Sequence, residues 1–215
     1  MINTFLFDFD GTVANTIPGI LATLEKTRET MNADFTLEAA KGVIGTPLEE
    51  MGRVLCGEDR ALEFVEMYHR EYLRWGKDKI SFYPGMEPLL KELTSVGVRR
   101  GVVTSKRADS LTLNLKTLKA AAYFDCLVTK ESTDRFKPDG APVLRAMKLL
   151  SSEPERTVMI GDTRYDIESG RNAAALTIGV TWGIESKEQI LKSSPDYVVS
   201  TGEDLAELCR RLMRG

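Results

Sequence analysis

A doubly wound parallel α/β sheet carrying an inserted all-helical domain is the architecture this chain predicts. Three features point to it. Beyond Pro84, short apolar runs alternate with segments of helical periodicity. The first apolar run, Thr4 to Phe9, ends abruptly on acidic residues and glycine, and the stretch from Thr16 to Gly76 that follows shows only helical spacing. Strands alternating with helices of about 10–15 residues build right-handed βαβ units, whose parallel sheet is covered on both faces. The expected division is a core of residues 1–14 and 82–215, with the helical domain at 15–81.

The elements follow in order. Thr4 to Phe9 is short, aromatic-rich and closed by Gly11, which suits a buried strand. Between Thr16 and Gly76, Leu21, Leu24, Leu48, Met51, Val54, Leu55, Leu62, Val65, Tyr68 and Tyr72 recur at three- and four-residue spacing. No β-branched run interrupts them, so the segment reads as amphipathic helices without a strand. Gly45-Thr46-Pro47 reads as a helix start, with Thr46 as N-cap and Pro47 in the first helical position. After Tyr83-Pro84-Gly85, a helix from Met86 to Ser95 stops at Gly97 and leads into a strand from Val98 to Thr104. Helix Asp109–Leu118 leads into strand Asp125–Thr129, and helix Ala141–Leu150 into strand Thr157–Ile160. Helix Tyr165–Ala174 leads into strand Leu176–Val180; a last strand, Tyr197–Val199, precedes a terminal helix from Glu203 to Met213.

Composition narrows the class. A chain of 215 residues holds one large domain, or one domain with an insert, and buries about 70% of its unfolded surface without a disulfide or metal staple. With 42% apolar and 28% charged residues it is ordinary globular material. A net charge of −3 offers no general attraction to nucleic acid or to an anionic membrane, so neither is expected as a partner. Cys56, Cys126 and Cys209 are odd in number and follow no motif spacing, which suits reduced thiols. The N-terminal apolar run has no basic flank and meets Asp8 and Asp10 at once, unlike a signal peptide or membrane span. The expectation is a soluble cytoplasmic protein, monomer or dimer.

Chemistry concentrates at the strand ends. Residues two apart on an extended chain point the same way, roughly 6–7 Å apart, so Asp8 and Asp10 project together from the first strand. Two such carboxylates repel, and a hard cation such as Mg²⁺, which takes oxygen ligands, resolves the conflict. A carboxylate can also act as a nucleophile toward phosphorus. Gly11 lets the backbone pass close to a ligand, and Thr12 offers a hydroxyl and an N–H to an anion. Val102-Val103-Thr104-Ser105 sets a hydroxyl after the second core strand, where a turn or cap serine is the plain alternative. Lys137 lies in the loop after the third strand, with Lys130 and Lys106 as competitors. Asp162 ends the fourth strand and Asp166 stands four residues on; an acidic helix N-terminus is their plain alternative. Open α/β sheets bind ligands at the carboxyl ends of their strands near the switch in strand order, and all six groups fall at such ends.

The order Asp8-Phe9-Asp10-Gly11-Thr12, Thr104-Ser105, Lys137-Pro138, Gly161-Asp162-Thr163-x-x-Asp166 resembles the four motifs of the haloacid dehalogenase superfamily. The helical insert resembles that family's cap, while Gly179-Val180-Thr181-Trp182-Gly183 and Pro195-Asp196-Tyr197-Val198 resemble its phosphoglycolate phosphatase-like branch. The resemblance implies Mg²⁺-dependent hydrolysis of a small phosphorylated metabolite, phosphoglycolate first among candidates. Asp8 would be the nucleophile and Asp10 the proton carrier. Asp8, the backbone carbonyl of Asp10 and Asp162 would hold Mg²⁺, supported by Asp166. Gly11, Thr12, Ser105, Lys106 and Lys137 would be the phosphate ligands, Lys137 also serving catalysis. Gly45 and Thr46 resemble a cap loop facing the active site, although a plain helix start accounts for them equally. Phe9 replaces the family's usual Leu at a position facing away from the aspartates, a packing change only. The family's other implied activities are inorganic pyrophosphatase and phosphosugar mutase; a non-catalytic phospho-accepting module is the reading from another class. Dehalogenation does not suit a chain that carries Asp10 and the metal-binding acids.

Other residues read as structural. His69, the only histidine, has no partner motif and is expected to have no catalytic role. Trp75 and Trp182 are expected to pack. The glycines form no dinucleotide-binding pattern. Arg99-Arg100 and Lys106-Arg107 read as short solvated pairs, although Arg107 is placed to lie near the cleft and touch an anionic substrate.

Overall fold

The computed structural model describes residues 1–215. Its centre is β1 (Thr4–Phe7), every residue of which is buried. β1 lies between β4 (Arg99–Val103) and β6 (Thr157–Gly161), parallel to both, with Phe7 opposite Val102 on one side and Ile160 on the other. β5 (Cys126–Val128) extends the sheet beyond β4; β7 (Leu176–Val180) and β8 (Tyr197–Val199) extend it beyond β6, giving the order β5-β4-β1-β6-β7-β8. The chain runs outward from β1 to β5 and then crosses to β6, so the switch in strand order falls at β1. The crevice at the carboxyl ends opens there.

Alternation along each strand divides two apolar layers. Phe5, Phe7, Val102, Val158 and Ile160 face the layer made with α5 (Met86–Ser95), α6 (Ala108–Leu118) and α10 (Gly202–Arg214). Leu6, Val103, Val128 and Met159 face the layer made with α7 (Ala141–Leu150) and the end of α8 (Arg164–Asn172). Strands covered on both faces carry apolar residues at consecutive positions, which is why these runs look continuous. Phe9 is completely buried in the first layer.

The insert holds α1 (Ile17–Met31), α2 (Leu37–Lys41), α3 (Leu48–Cys56) and α4 (Ala61–Glu71), and a wider helical turn at Tyr72–Gly76 continues α4. These close on a separate core that includes Ile20, Leu24, Phe35, Met51 and Phe64. Phe64, Tyr68 and Tyr72 stack along one face, with ring centroids 6.0 and 6.2 Å apart. The two crossings pair as an antiparallel ladder of β2 (Ala14–Asn15) and β3 (Ser81–Phe82), although no strand was expected beside the insert. No helix is long and apolar enough to cross a membrane.

Local corrections have local reasons. α3 starts one residue late: Pro47 is its cap, and Thr46 Oγ1 instead donates back to Val43 O at 2.7 Å. α9 (Lys187–Lys192) escaped notice because six residues carry too little periodicity; its capping box of Ser186 and Gln189 was the readable signal. Arg100 is not solvated, since Asp125 and the Tyr123 carbonyl hold its buried guanidinium at 2.8 Å each. Trp75 is half exposed under the Lys26 ammonium, whereas Trp182 packs against Tyr83.

Truncating the insert's core should be costly: Phe64→Ala is expected to lose about 3–5 kcal/mol in urea unfolding, while the exposed Leu62→Ala stays within about 0.5 kcal/mol of the parent.

Candidate active site

The backbone after β1 builds the site. The Asp8 N–H still donates to Ile160 O at 2.8 Å, holding Asp8 against β6. The chain then reverses tightly: the N–H groups of Val13 and Ala14 both donate to Phe9 O, at 3.1 and 2.9 Å. Gly11 turns at φ +88°, and a Cβ on it would lie 2.2 Å from Asp162 Oδ2, so only glycine satisfies both demands. Gly183 crowds the same carboxylate from the other side, with the same 2.2 Å clearance. Between them Asp162, completely buried, accepts from Thr12 Oγ1 at 2.8 Å and from the Ile184 N–H at 2.9 Å.

Asp166 performs two tasks. Its Oδ2 accepts from the Thr163 N–H and hydroxyl at 3.0 and 2.7 Å, the reciprocal cap of α8, while its Oδ1 accepts from Lys137 Nζ at 2.6 Å. The same ammonium donates to Asp8 Oδ1 at 2.6 Å and to Val103 O at 3.3 Å. Oxygens of Asp8, Asp162 and Asp166 all lie within 4.8 Å of one another.

Three buried carboxylates thus cluster here, two of them on one buried ammonium. Burial raises the Asp8 carboxyl to about 7, with the charges of Asp166 and Asp10 adding to the rise and Lys137 opposing it. Burial, with Asp8 and Asp166, also pushes Asp162 well above the carboxylate range. Burial alone would lower Lys137, but Asp166 and Asp8 outweigh it and hold the ammonium above its ordinary value. Buried hard oxygen donors carrying excess negative charge are the donor set that suits Mg²⁺.

Asp10 stands outside this trio. Both of its oxygens accept from Lys106 Nζ, at 2.9 and 3.0 Å, and the ammonium sits 5.3 Å from the centre of the Tyr72 ring in the insert. Lys106, read both as half of a solvated basic pair and as a phosphate ligand, is almost wholly buried and holds Asp10. Of the three competing lysines, Lys137 and Lys106 enter the site, and Lys130 pairs with Glu49 of α3, tying insert to core. Gly11 and Thr12 differ from expectation as anion donors: the Gly11 N–H donates to Ala14 O at 3.0 Å, and the Thr12 hydroxyl serves Asp162.

A single cavity brings together Asp8, Asp10, Ser105 and Lys106 of the core with Gly45, Thr46 and Tyr72 of the insert. Ser105 Oγ is buried there without a hydrogen-bond partner. Sequence reasoning passed over His69, which lines this cavity together with Arg107. Its only signal was proximity in sequence to Tyr68 and Tyr72, which read as core spacing.

The model of the haloacid dehalogenase-like hydrolase family matches residues 5–180. A PpaX relative from Clostridium perfringens is 36% identical over 216 residues, 99% of each chain. The pyrophosphatase PpaX of Listeria innocua is 32% identical over 212 residues, 97% of each chain. The crystal structure of a predicted phosphatase from Clostridium acetobutylicum superposes with a TM-score of 0.88 at 26% identity, covering 98% of this chain and 99% of that one.

The raised Asp8 carboxyl sets a pH dependence. Without metal the folded protein keeps a proton there that the unfolded chain has released above about pH 4. The folded state then binds more protons, so this group's contribution to stability falls as pH rises from about 4 to about 7. In chelator, the thermal midpoint of wild type should drop relative to that of Asp8→Asn across this window, and Mg²⁺ should reverse the drop at pH 7. Parallel midpoints in chelator would refute it.

Proposed function

The chain belongs to the haloacid dehalogenase-like hydrolases and hydrolyses phosphate esters; from that premise we propose a Mg²⁺-dependent phosphatase for small substrates that works through an aspartyl-phosphate intermediate. The observation that carries the proposal is the buried Asp8, gripped by Lys137 at the end of the central strand and sharing its cavity with the unpartnered Ser105 hydroxyl.

A free oxygen of Asp8 attacks phosphorus, while the bond from phosphorus to the leaving oxygen breaks. Asp10 gives that oxygen a proton, then takes one from the water that attacks the aspartyl phosphate. Phosphate leaves and Asp8 is regenerated. Ser105 donates to a phosphoryl oxygen, which supplies the acceptor its hydroxyl lacks. Lys137 orients Asp8 and offsets charge at the phosphoryl group, and Lys106 holds Asp10 in place. Asp8, Asp162 and the backbone carbonyl of Asp10 would hold Mg²⁺, with Asp166 in support, and the bound ion supplies charge neutralisation for phosphoryl transfer. The insert acts as a cap, excluding water while the Lys130–Glu49 pair and the Tyr72–Asn114 hydrogen bonds are made.

Two substrates suit this reading. Inorganic pyrophosphate is favoured by full-length relatives that bear the pyrophosphatase name. The other is 2-phosphoglycolate, favoured by the branch-like stretch from Gly179 to Gly183.

Purified protein with Mg²⁺ should release phosphate from at least one of the two and lose the activity in chelator. Asp8→Asn should lower kcat by about 10³-fold or more. A fully active Asp8→Asn enzyme would sink the mechanism, and no release from any small phosphate would sink the function.

A further inference from the structure

The proposed phosphatase chemistry employs Asp8, Asp10, Ser105, Lys106 and Lys137 but leaves part of the cavity wall unexplained. His69 from α4 and Arg107, immediately before α6, line that same cavity from opposite domains. Each buries a nitrogen with no hydrogen-bond partner: His69 Nε2 and Arg107 Nε. The nearest carboxylates to Arg107 Nε are Asp109 and Glu131, at 3.6 and 3.9 Å, too far for hydrogen bonds. Buried polar atoms are nearly always paired, so two unpartnered nitrogens on residues that line one cavity point to a ligand.

The chemistry of the pair selects its kind. Arg107 Nε–H can only donate, and His69 Nε2 donates when it carries the proton. Beside them the wall is apolar, built from Ile44, Leu48 and Met51. Burial and the Arg107 charge hold the imidazole below its ordinary pKa, against the opposing charges of Asp109, Glu49 and Glu131.

We infer that His69 and Arg107 form a subsite for a second anionic group of the substrate, a carboxylate or a further phosphoryl, while Asp8 engages the phosphoryl group being transferred. The assignment rests on the phosphatase reading above. It makes the subsite joint property of insert and core, complete only when the insert lies over the sheet. It also selects small phosphates with two anionic ends over simple alkyl phosphates.

Two measurements test it on the intact chain. The first compares kcat/KM of wild type, His69→Gln and Arg107→Ala on pyrophosphate, 2-phosphoglycolate and ethyl phosphate with Mg²⁺. Loss of a charge-assisted hydrogen bond is expected to reduce the preference for the doubly anionic substrates over ethyl phosphate by about tenfold or more, mainly through KM. Whichever of pyrophosphate and phosphoglycolate shows the loss identifies the second group. Equal loss on all three, or none, overturns the subsite.

The second needs no variant. His69 is the only histidine, so its ring gives one set of NMR signals. Methylenediphosphonate or phosphonoacetate should shift them in the wild-type protein and raise the imidazole pKa, while ethylphosphonate should not. Unmoved signals despite competitive inhibition by the diphosphonate overturn the subsite. A wild-type enzyme that hydrolyses no phosphate overturns the phosphatase reading instead.

Discussion

The molecule is organised around one electrostatic problem, an ammonium that shares its buried site with three carboxylates. Lys137 lies 2.6 Å from both Asp8 and Asp166, and Asp162 completes the trio. Charges this close cannot be desolvated without partners. Each is accordingly held by a specific device: the strand ladder for Asp8, the helix cap for Asp166, and the Thr12 hydroxyl with the Ile184 N–H for Asp162. Even so, negative charge remains in excess, and it is this residue of imbalance that makes the site receptive to a divalent cation.

The sheet topology is what allows such an arrangement. β1 sits between β4 and β6, so the loops after three neighbouring strands converge above one crevice. Both faces of the sheet are sealed by helices, which leaves the carboxyl ends as the natural place for polar groups. Two glycines then permit an approach that any side chain would block, since Gly11 and Gly183 press against Asp162 from either side.

The insert adds what the core lacks. Its crossings leave directly after the Asp8–Asp10 segment and return as a paired ladder, so its position is tied to the turn that carries those two aspartates. Tyr72 lies over Lys106, Glu49 meets Lys130, and His69 shares a cavity with Arg107. A ligand that bridges the two domains would add to these contacts, coupling recognition to closure.

Much of this was legible beforehand. Helical spacing and strand alternation located the core elements of the sheet to within a residue or two, because periodicity is a local property of a segment that buries one or two faces. The acids Asp8, Asp10, Asp162 and Asp166 were legible for a similar reason: each adjoins the end of an apolar run. The pairing between distant residues was not. Spacing left three lysines in competition, with only the motif resemblance favouring Lys137; the fold brought Lys137 to Asp8, 129 residues away, sent Lys106 to Asp10 and spent Lys130 on Glu49. His69 read as a stray histidine on a core-spaced helix, and only packing of the insert over the sheet turned it toward the cavity. The sequence by itself determined the sheet, the insert and the acidic strand ends, since those depend on neighbours along the chain. Tertiary structure alone decided which charges meet and which polar atoms stay unpaired, since those depend on neighbours in space.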